Sequence, residues 1–214
     1  MSETQAAEWE RLRARMVERQ LRRRGITDER VLAAMGRVPR EAFVPAGLEA
    51  LAYDDAALPI GEDQTISQPF IVAAMCELLA LDGTEQVLDV GTGSGYAAAV
   101  LDELAASVLS LERIEVLATR ARLALDRTGH AGVEVRVADG SLGAPDRAPF
   151  DAISVAAATD HVPPALYEQL AVGGRMVLPR GGRGGQRLVR VVRTPDGPVE
   201  TASLACRFVP LVEG

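Results

Sequence analysis

Val87-Leu88-Asp89-Val90-Gly91-Thr92-Gly93-Ser94-Gly95-Tyr96 is an apolar run that breaks into alternating glycines. It reads as a strand entering a tight loop and then a helix. The next apolar segment, Leu109-Ser110-Leu111, is followed by an acid, Glu112. In a doubly wound α/β sheet this arrangement builds a nucleotide pocket. The glycines let backbone approach the ligand, and the acid accepts hydrogen bonds from ribose hydroxyls.

The spacing separates one nucleotide from another. A dinucleotide loop reads G-x-G-x-x-G/A, with its last small residue allowing close helix–strand packing. Here the run is G-x-G-x-G, and Tyr96 stands where the third small residue would fall. Asp89 lies just before the first glycine. A carboxylate there suits a cationic sulfonium and an ammonium better than a pyrophosphate, so the segment points to S-adenosylmethionine. The competing reading is a tight strand–helix turn with no ligand.

Composition narrows the classes. A chain of 214 residues, 48% hydrophobic, can bury one sizeable core. No apolar run reaches membrane-spanning length, and no apolar stretch follows the charged N-terminus as a secretory signal would require. All 23 basic residues are arginine, which excludes a Schiff-base lysine and a P-loop lysine. A net charge of −7 argues against a nucleic-acid surface. His130 and His161 lack neighbouring ligands at metal spacing, so no metal site is expected. Cys76 and Cys206 read as buried free thiols in a reducing cytoplasm.

Periodicity supplies the rest. Residues 8–24 read as a helix ended by Gly25, and its seven arginines between Arg11 and Arg24 as a solvated face rather than an RNA site. Asp28 is a candidate N-cap for a helix through Met35. Residues 37–68, punctuated by Pro39, Pro45 and Pro59, read as irregular, and a long irregular segment is often a binding loop. A helix is expected from Pro69 to Leu79. Strands follow at 86–90, 107–111, 133–137, 151–156 and 174–178, with helices at 95–105, 114–128 and 163–171. The alternation predicts a mostly parallel, Rossmann-like sheet covered on both faces. Residues 188–193 and a segment through Phe208, around the turn Pro195-Asp196-Gly197-Pro198, predict an antiparallel edge. The whole chain, 1–214, is expected to be one domain and a monomer. Residues 1–80 form a helical and loop extension, and 81–214 the α/β core.

The pattern resembles the class I methyltransferases, and one segment narrows it further. Leu58-Pro59-Ile60-Gly61-Glu62-Asp63-Gln64-Thr65-Ile66-Ser67-Gln68-Pro69 is similar to the signature of the protein-L-isoaspartate O-methyltransferases. Arg24-Gly25-Ile26, Val38-Pro39-Arg40, Asp139-Gly140 and Arg207-Phe208-Val209-Pro210-Leu211 agree with it. The resemblance implies transfer of a methyl group from S-adenosylmethionine to the free carboxylate of L-isoaspartyl residues, with D-aspartyl as a further option, opening repair through a succinimide. It places Ser67 beside the methyl acceptor and Ile60, Gly61, Glu62 and Asp63 in a loop over the cofactor. It sets Gly91, Gly93 and Ser94 at the methionine part, Glu112 at the ribose, and Asp139 and Gly140 near the adenine. Departures are Ala138 before Asp139, Ala97 after the tyrosine, and Ala158-Thr159-Asp160-His161, where the family commonly has Ala-Pro.

Simpler roles stand beside these. Ser67 could cap the helix that begins at Pro69. Gln64 and Thr65 could bond only loop backbone, Asp139 could be a turn residue, and His161 reads as a loop residue. Tyr53 is either packed or a pocket wall. Two other functions share the fold: a methyltransferase for a specialised peptide or small molecule, and a non-catalytic S-adenosylmethionine-binding module.

Overall fold

The computed structural model describes residues 3–182 and 184–212. The helices are α1 (Glu3–Met16), α2 (Glu29–Arg37), α3 (Pro69–Leu79), α4 (Tyr96–Asp102), α5 (Glu115–Arg127) and α6 (Pro164–Glu168). The strands are β1 (Leu58–Gly61), β2 (Gln64–Ile66), β3 (Gln86–Val90), β4 (Ser107–Glu112), β5 (Glu134–Val137), β6 (Phe150–Val155), β7 (Leu170–Gly182), β8 (Gly185–Thr194) and β9 (Gly197–Cys206).

The main sheet runs β5-β4-β3-β6-β7-β8-β9. Strands β5 to β7 are parallel, and β7, β8 and β9 form an antiparallel meander at one edge. This is the mostly parallel, Rossmann-like sheet with an antiparallel edge that the sequence predicts. The strand order reverses at β3, which lies between β4 and β6, so a crevice opens at the carboxyl ends of these strands. Leu88, Val90, Ile153, Val155 and Met176 are wholly buried, as strands covered on both faces require.

Several boundaries differ from the sequence reading. The segment 37–68 is not irregular throughout. It holds short helical turns at Arg40–Phe43 and Glu49–Leu51 and the antiparallel hairpin β1–β2. That hairpin turns through Glu62 and Asp63, both left-handed (φ 54° and 56°), where turn glycine or asparagine is usual. Two such acids hide the hairpin signal. The first helix starts earlier, at Glu3, then loosens into a π-turn over Val17–Leu21 and a tight turn over Arg22–Arg24 before Gly25. Helix α6 ends at Glu168, because Leu170 already belongs to β7. Cys76 is buried, but Cys206 is only half-buried.

Other local signals hold. Asp28 caps α2 through Arg30 N and Val31 N, worth about 1 kcal/mol in such caps. Of the N-terminal arginines, Arg11, Arg13, Arg22, Arg23 and Arg24 pair with acids of this chain. Arg13 bonds both Tyr53 Oη (2.9 Å) and Glu41, so Tyr53 is a packed aromatic that docks α1. Glu77 of α3 accepts from Thr27 N (2.7 Å) and Asp28 N (2.8 Å), tying the extension to the core. Arg40 is fully buried with its guanidinium 4.8 Å from the Tyr96 ring centre, and Phe43 meets the same ring edge-on. The extension therefore grips the first residue of α4, directly behind the glycine loop.

Candidate active site

A cavity of about 690 Å³ opens at the carboxyl ends of β3, β4 and β6. That volume suits a ligand of nucleoside size. Its floor is the glycine loop: Gly91, Gly93 and Ser94 line it. Gly95 does the helix-packing work that the sequence had assigned to the next position. A Cβ there would lie 3.3 Å from that of Ala121 in α5, and φ is +90°. Tyr96 is thereby free to be large, and it lines the cavity from the far side of the turn.

Glu112 ends β4 at the cavity wall and is 6% exposed. One carboxylate oxygen accepts from Gly93 N (2.8 Å) and the other from Ile114 N (2.9 Å). A carboxylate has about four acceptor positions, so each oxygen retains one for a diol. Gly140 lies opposite, where a Cβ would fall 2.5 Å from Val90 Cγ1; only glycine lets the chain run this close to β3. Asp139 caps the turn before Ser141, accepting from its N (2.9 Å) and Oγ (2.7 Å), and does not line the cavity.

Asp89 sits one layer below the loop. It is wholly buried, and Ser110 Oγ donates to one of its oxygens at 2.7 Å. Ser110 Oγ also lies 2.6 Å from Thr92 Oγ1 in the loop. The other oxygen of Asp89 has no hydrogen-bond partner among the described residues. Burial pushes the Asp89 carboxyl up to about 6, against the pull of the Ser110 and Ser154 hydroxyls.

The second wall comes from the extension. Gln64, Thr65, Ile66, Ser67 and Gln68 line it. Gln68, not Ser67, is the N-cap of α3, and it makes no side-chain cap bond. The Ser67 hydroxyl has no hydrogen bond among the described residues, although it borders the cavity. Gln68 instead bonds Asp55 Oδ1 (2.8 Å), and Arg24 pairs with the same carboxylate at 2.6 Å. The Gln64 side chain donates to the Glu62 carbonyl (3.2 Å). Ile60 is buried beside the glycine loop, its Cδ1 3.5 Å from where a Gly93 Cβ would lie. Gly61, Glu62 and Asp63 form the exposed hairpin tip and do not line the cavity.

The third wall is the segment that the sequence reading placed in an antiparallel edge through Phe208 and matched to the family at Arg207–Leu211, with no site role given to it. Strand β9 ends at Cys206, short of the expected Phe208, and residues 207–212 then cross the cavity as a strap. Ala158 N donates to Val209 O (2.8 Å), and Leu211 N donates to Ala158 O (2.7 Å). Gln186 of β8 grips Phe208 twice, accepting from its N at 2.6 Å and donating to its O at 3.1 Å. The legible signal was Pro210, which cannot continue a strand ladder; the partner residues, Ala158 and Gln186, are distant in sequence.

This donor set fits S-adenosylmethionine. A buried acid with spare acceptors suits the ribose. A buried carboxylate with an orphan oxygen lies beneath the loop for a cationic ligand. No group of three or more potential metal ligands occurs among the described residues.

Comparison with known proteins gives a consistent result. Residues 12–214 match the family model described as protein-L-isoaspartate(D-aspartate) O-methyltransferase. The chain is 58% identical over 203 residues to protein-L-isoaspartate O-methyltransferase 2 of Marinobacter nauticus, covering 94% of this chain and 93% of that one. It is 55% identical over 204 residues to the protein-L-isoaspartate O-methyltransferase of Methanoculleus marisnigri, covering 94% and 92%. A solved protein-L-isoaspartate O-methyltransferase superposes with TM-score 0.85 at 28% identity, over 94% of this chain and 66% of that one. The Plasmodium falciparum structure described under the same enzyme name, in complex with S-adenosyl-L-homocysteine, gives TM-score 0.83 over 94% and 99%. At 23% identity it supports the fold alone.

Proposed function

The chain belongs to the protein-L-isoaspartate(D-aspartate) O-methyltransferase family, and from that premise we propose how its residues divide the work. The enzyme methylates the free carboxylate of isoaspartyl residues in proteins and peptides. S-adenosylmethionine, when bound, supplies the sulfonium methyl group and leaves as S-adenosylhomocysteine. The observation that carries the division is that Ser67, Glu112 and the glycine loop border one cavity.

An acceptor carboxylate is ionised at neutral pH, with an ordinary pKa near ~4. It is already a nucleophile and needs no base. No histidine lines the main cavity, in keeping with that chemistry. What the protein must do is aim one oxygen and exclude water from it. Ser67 Oγ can donate to the other carboxylate oxygen and fix its direction without titrating. Ile71, Val72, Phe208 and Pro210 provide apolar walls. Glu112 would hold the ribose, and Gly91, Gly93 and Ser94 would hold the methionine part, with the buried Asp89 carboxylate in the layer beneath the loop as a counter-charge. Gly140 leaves room for the adenine, with Asp139 shaping its turn. Ile60 supports the glycine loop, and Gly61, Glu62 and Asp63 form a flap over this side. The ester then closes in solution: the next backbone nitrogen attacks its carbonyl, methanol leaves, and a succinimide forms.

A single-domain monomer of a reducing cytoplasm completes the reading. The two cysteines are unpaired, and the core runs unbroken from Met16 in the extension to Leu188 in β8. No helix among the described residues is long and apolar enough to cross a membrane.

Two variants test the division of labour. Ser67→Ala should lower kcat about 10- to 100-fold, equal to about 1.4–2.7 kcal/mol of barrier, with little change in S-adenosylmethionine affinity. Glu112→Gln should do the reverse, weakening cofactor binding about 10-fold or more, because bonds to a charged acceptor are the stronger kind. A Ser67→Ala loss confined to cofactor affinity would refute the acceptor role.

A further inference from the structure

A second, open hollow adjoins the active-site cavity. It is lined by Ala158, Thr159, Asp160, His161, Gly181, Pro210 and Leu211. Pro210 and Leu211 line both spaces, so the strap is a shared wall with the methyl-transfer cavity on one side and this hollow on the other. The ledge between them is tied by backbone bonds on both sides. Ala158 bonds the strap through Val209 O and Leu211 N. Thr159 bonds the end of β7, donating to Pro179 O (3.1 Å) and accepting from Gly181 N (2.9 Å). Beyond the ledge the chain turns outward, and Thr159 Oγ1 accepts from His161 N (3.3 Å). Asp160 bonds His161 Nδ1 at 2.7 Å, and its side chain is 86% exposed. Among the described residues it has no arginine partner; the neighbouring Arg180 is paired with Glu200.

A substrate of this enzyme is a polypeptide, not an isolated amino acid. When its isoaspartyl carboxylate is in the main cavity, the chain must leave across a wall. The strap's Pro210 and Leu211 are apolar and line both sides. We propose that the hollow at Thr159–His161 is a subsite for a residue flanking the isoaspartyl residue, and that Asp160 makes it prefer a basic side chain. The inference rests on the function proposed above. The hollow is the right class of site for such a side chain: open, and carrying the exposed carboxylate of Asp160, which among the described residues meets His161 and no arginine. An exposed ion pair contributes modestly, so selectivity of about 2- to 5-fold is expected, and salt should screen it.

The test uses isoaspartyl peptides in which a single Arg, Ala or Glu is scanned through the flanking positions. Methyl transfer at low ionic strength gives KM for each. At one flanking position Arg should lower KM about 2- to 5-fold against Ala, and Glu should raise it. Asp160→Asn should abolish that ranking and Asp160→Arg should invert it, while Asp196→Asn, the same charge change in a remote turn, should leave it intact. Transfer to every peptide with no ranking that depends on Asp160 overturns the subsite alone. Transfer to none of them overturns the proposed function with it.

Discussion

Asp89 shows what a single buried group does to this protein. Its carboxyl is moved from an ordinary 3.8 up to about 6, with desolvation as the main cause. A raised acid pKa means the folded chain holds a proton more tightly than the unfolded one. Its contribution is fully present below about pH 4 and is lost as pH rises through 6. Two pH units correspond to about 3 kcal/mol. Asp89→Asn stays neutral throughout, so the stability difference between variant and wild type isolates this group. Urea unfolding of both proteins should show that difference moving by about 3 kcal/mol in the variant's favour between pH 4 and 6, then levelling. A flat difference would contradict it. Retention of an acid that destabilises the empty protein at neutral pH is intelligible if a cation is held above it.

The strap is an element held by two backbone bonds to Ala158 and by one side chain, Gln186. Gln186 replaces the ladder bonds that Phe208 would otherwise lack, and it does so with both ends of one amide. Gln186→Leu keeps the size and removes both bonds. Peptide KM should rise about 3- to 10-fold, with S-adenosylmethionine affinity and unfolding midpoint changed little; equal KM values for wild type and variant would show that the strap holds itself. Elements of this kind divide by how local their causes are. The strand β3, the glycine loop and α3 were legible because a continuous apolar run, positive-φ glycines and Pro69 at the first turn all act within a few residues. The hairpin β1–β2 was not, because Glu62 and Asp63 adopt left-handed turn conformations that the sequence gives no reason to expect. The strap was not, because its bonds run to Ala158 and Gln186, and nothing near Phe208 announces them.

Across the whole molecule, the extension and the sheet act as one body with the site at their seam. Arg40 and Phe43 pack on Tyr96 behind the loop, Arg24 and Gln68 hold Asp55, and Ser67 faces the cavity from the extension while Glu112 faces it from the sheet. Ser67, Gly91, Gly93, Ser94, Glu112 and Gly140 were named together through the family resemblance, with only the glycine loop and Glu112 legible from strand ends alone, and all six border one cavity. Asp89 and Ile60 lie a layer away, since a strand's alternation tells which face a residue takes but not its depth. The central claim is that this seam esterifies isoaspartyl carboxylates. The direct measurement is transfer of labelled methyl from S-adenosylmethionine to two peptides that differ only in one normal or isoaspartyl linkage. Base-labile label on the isoaspartyl peptide alone is the predicted result; label on neither, or on both alike, would contradict the account.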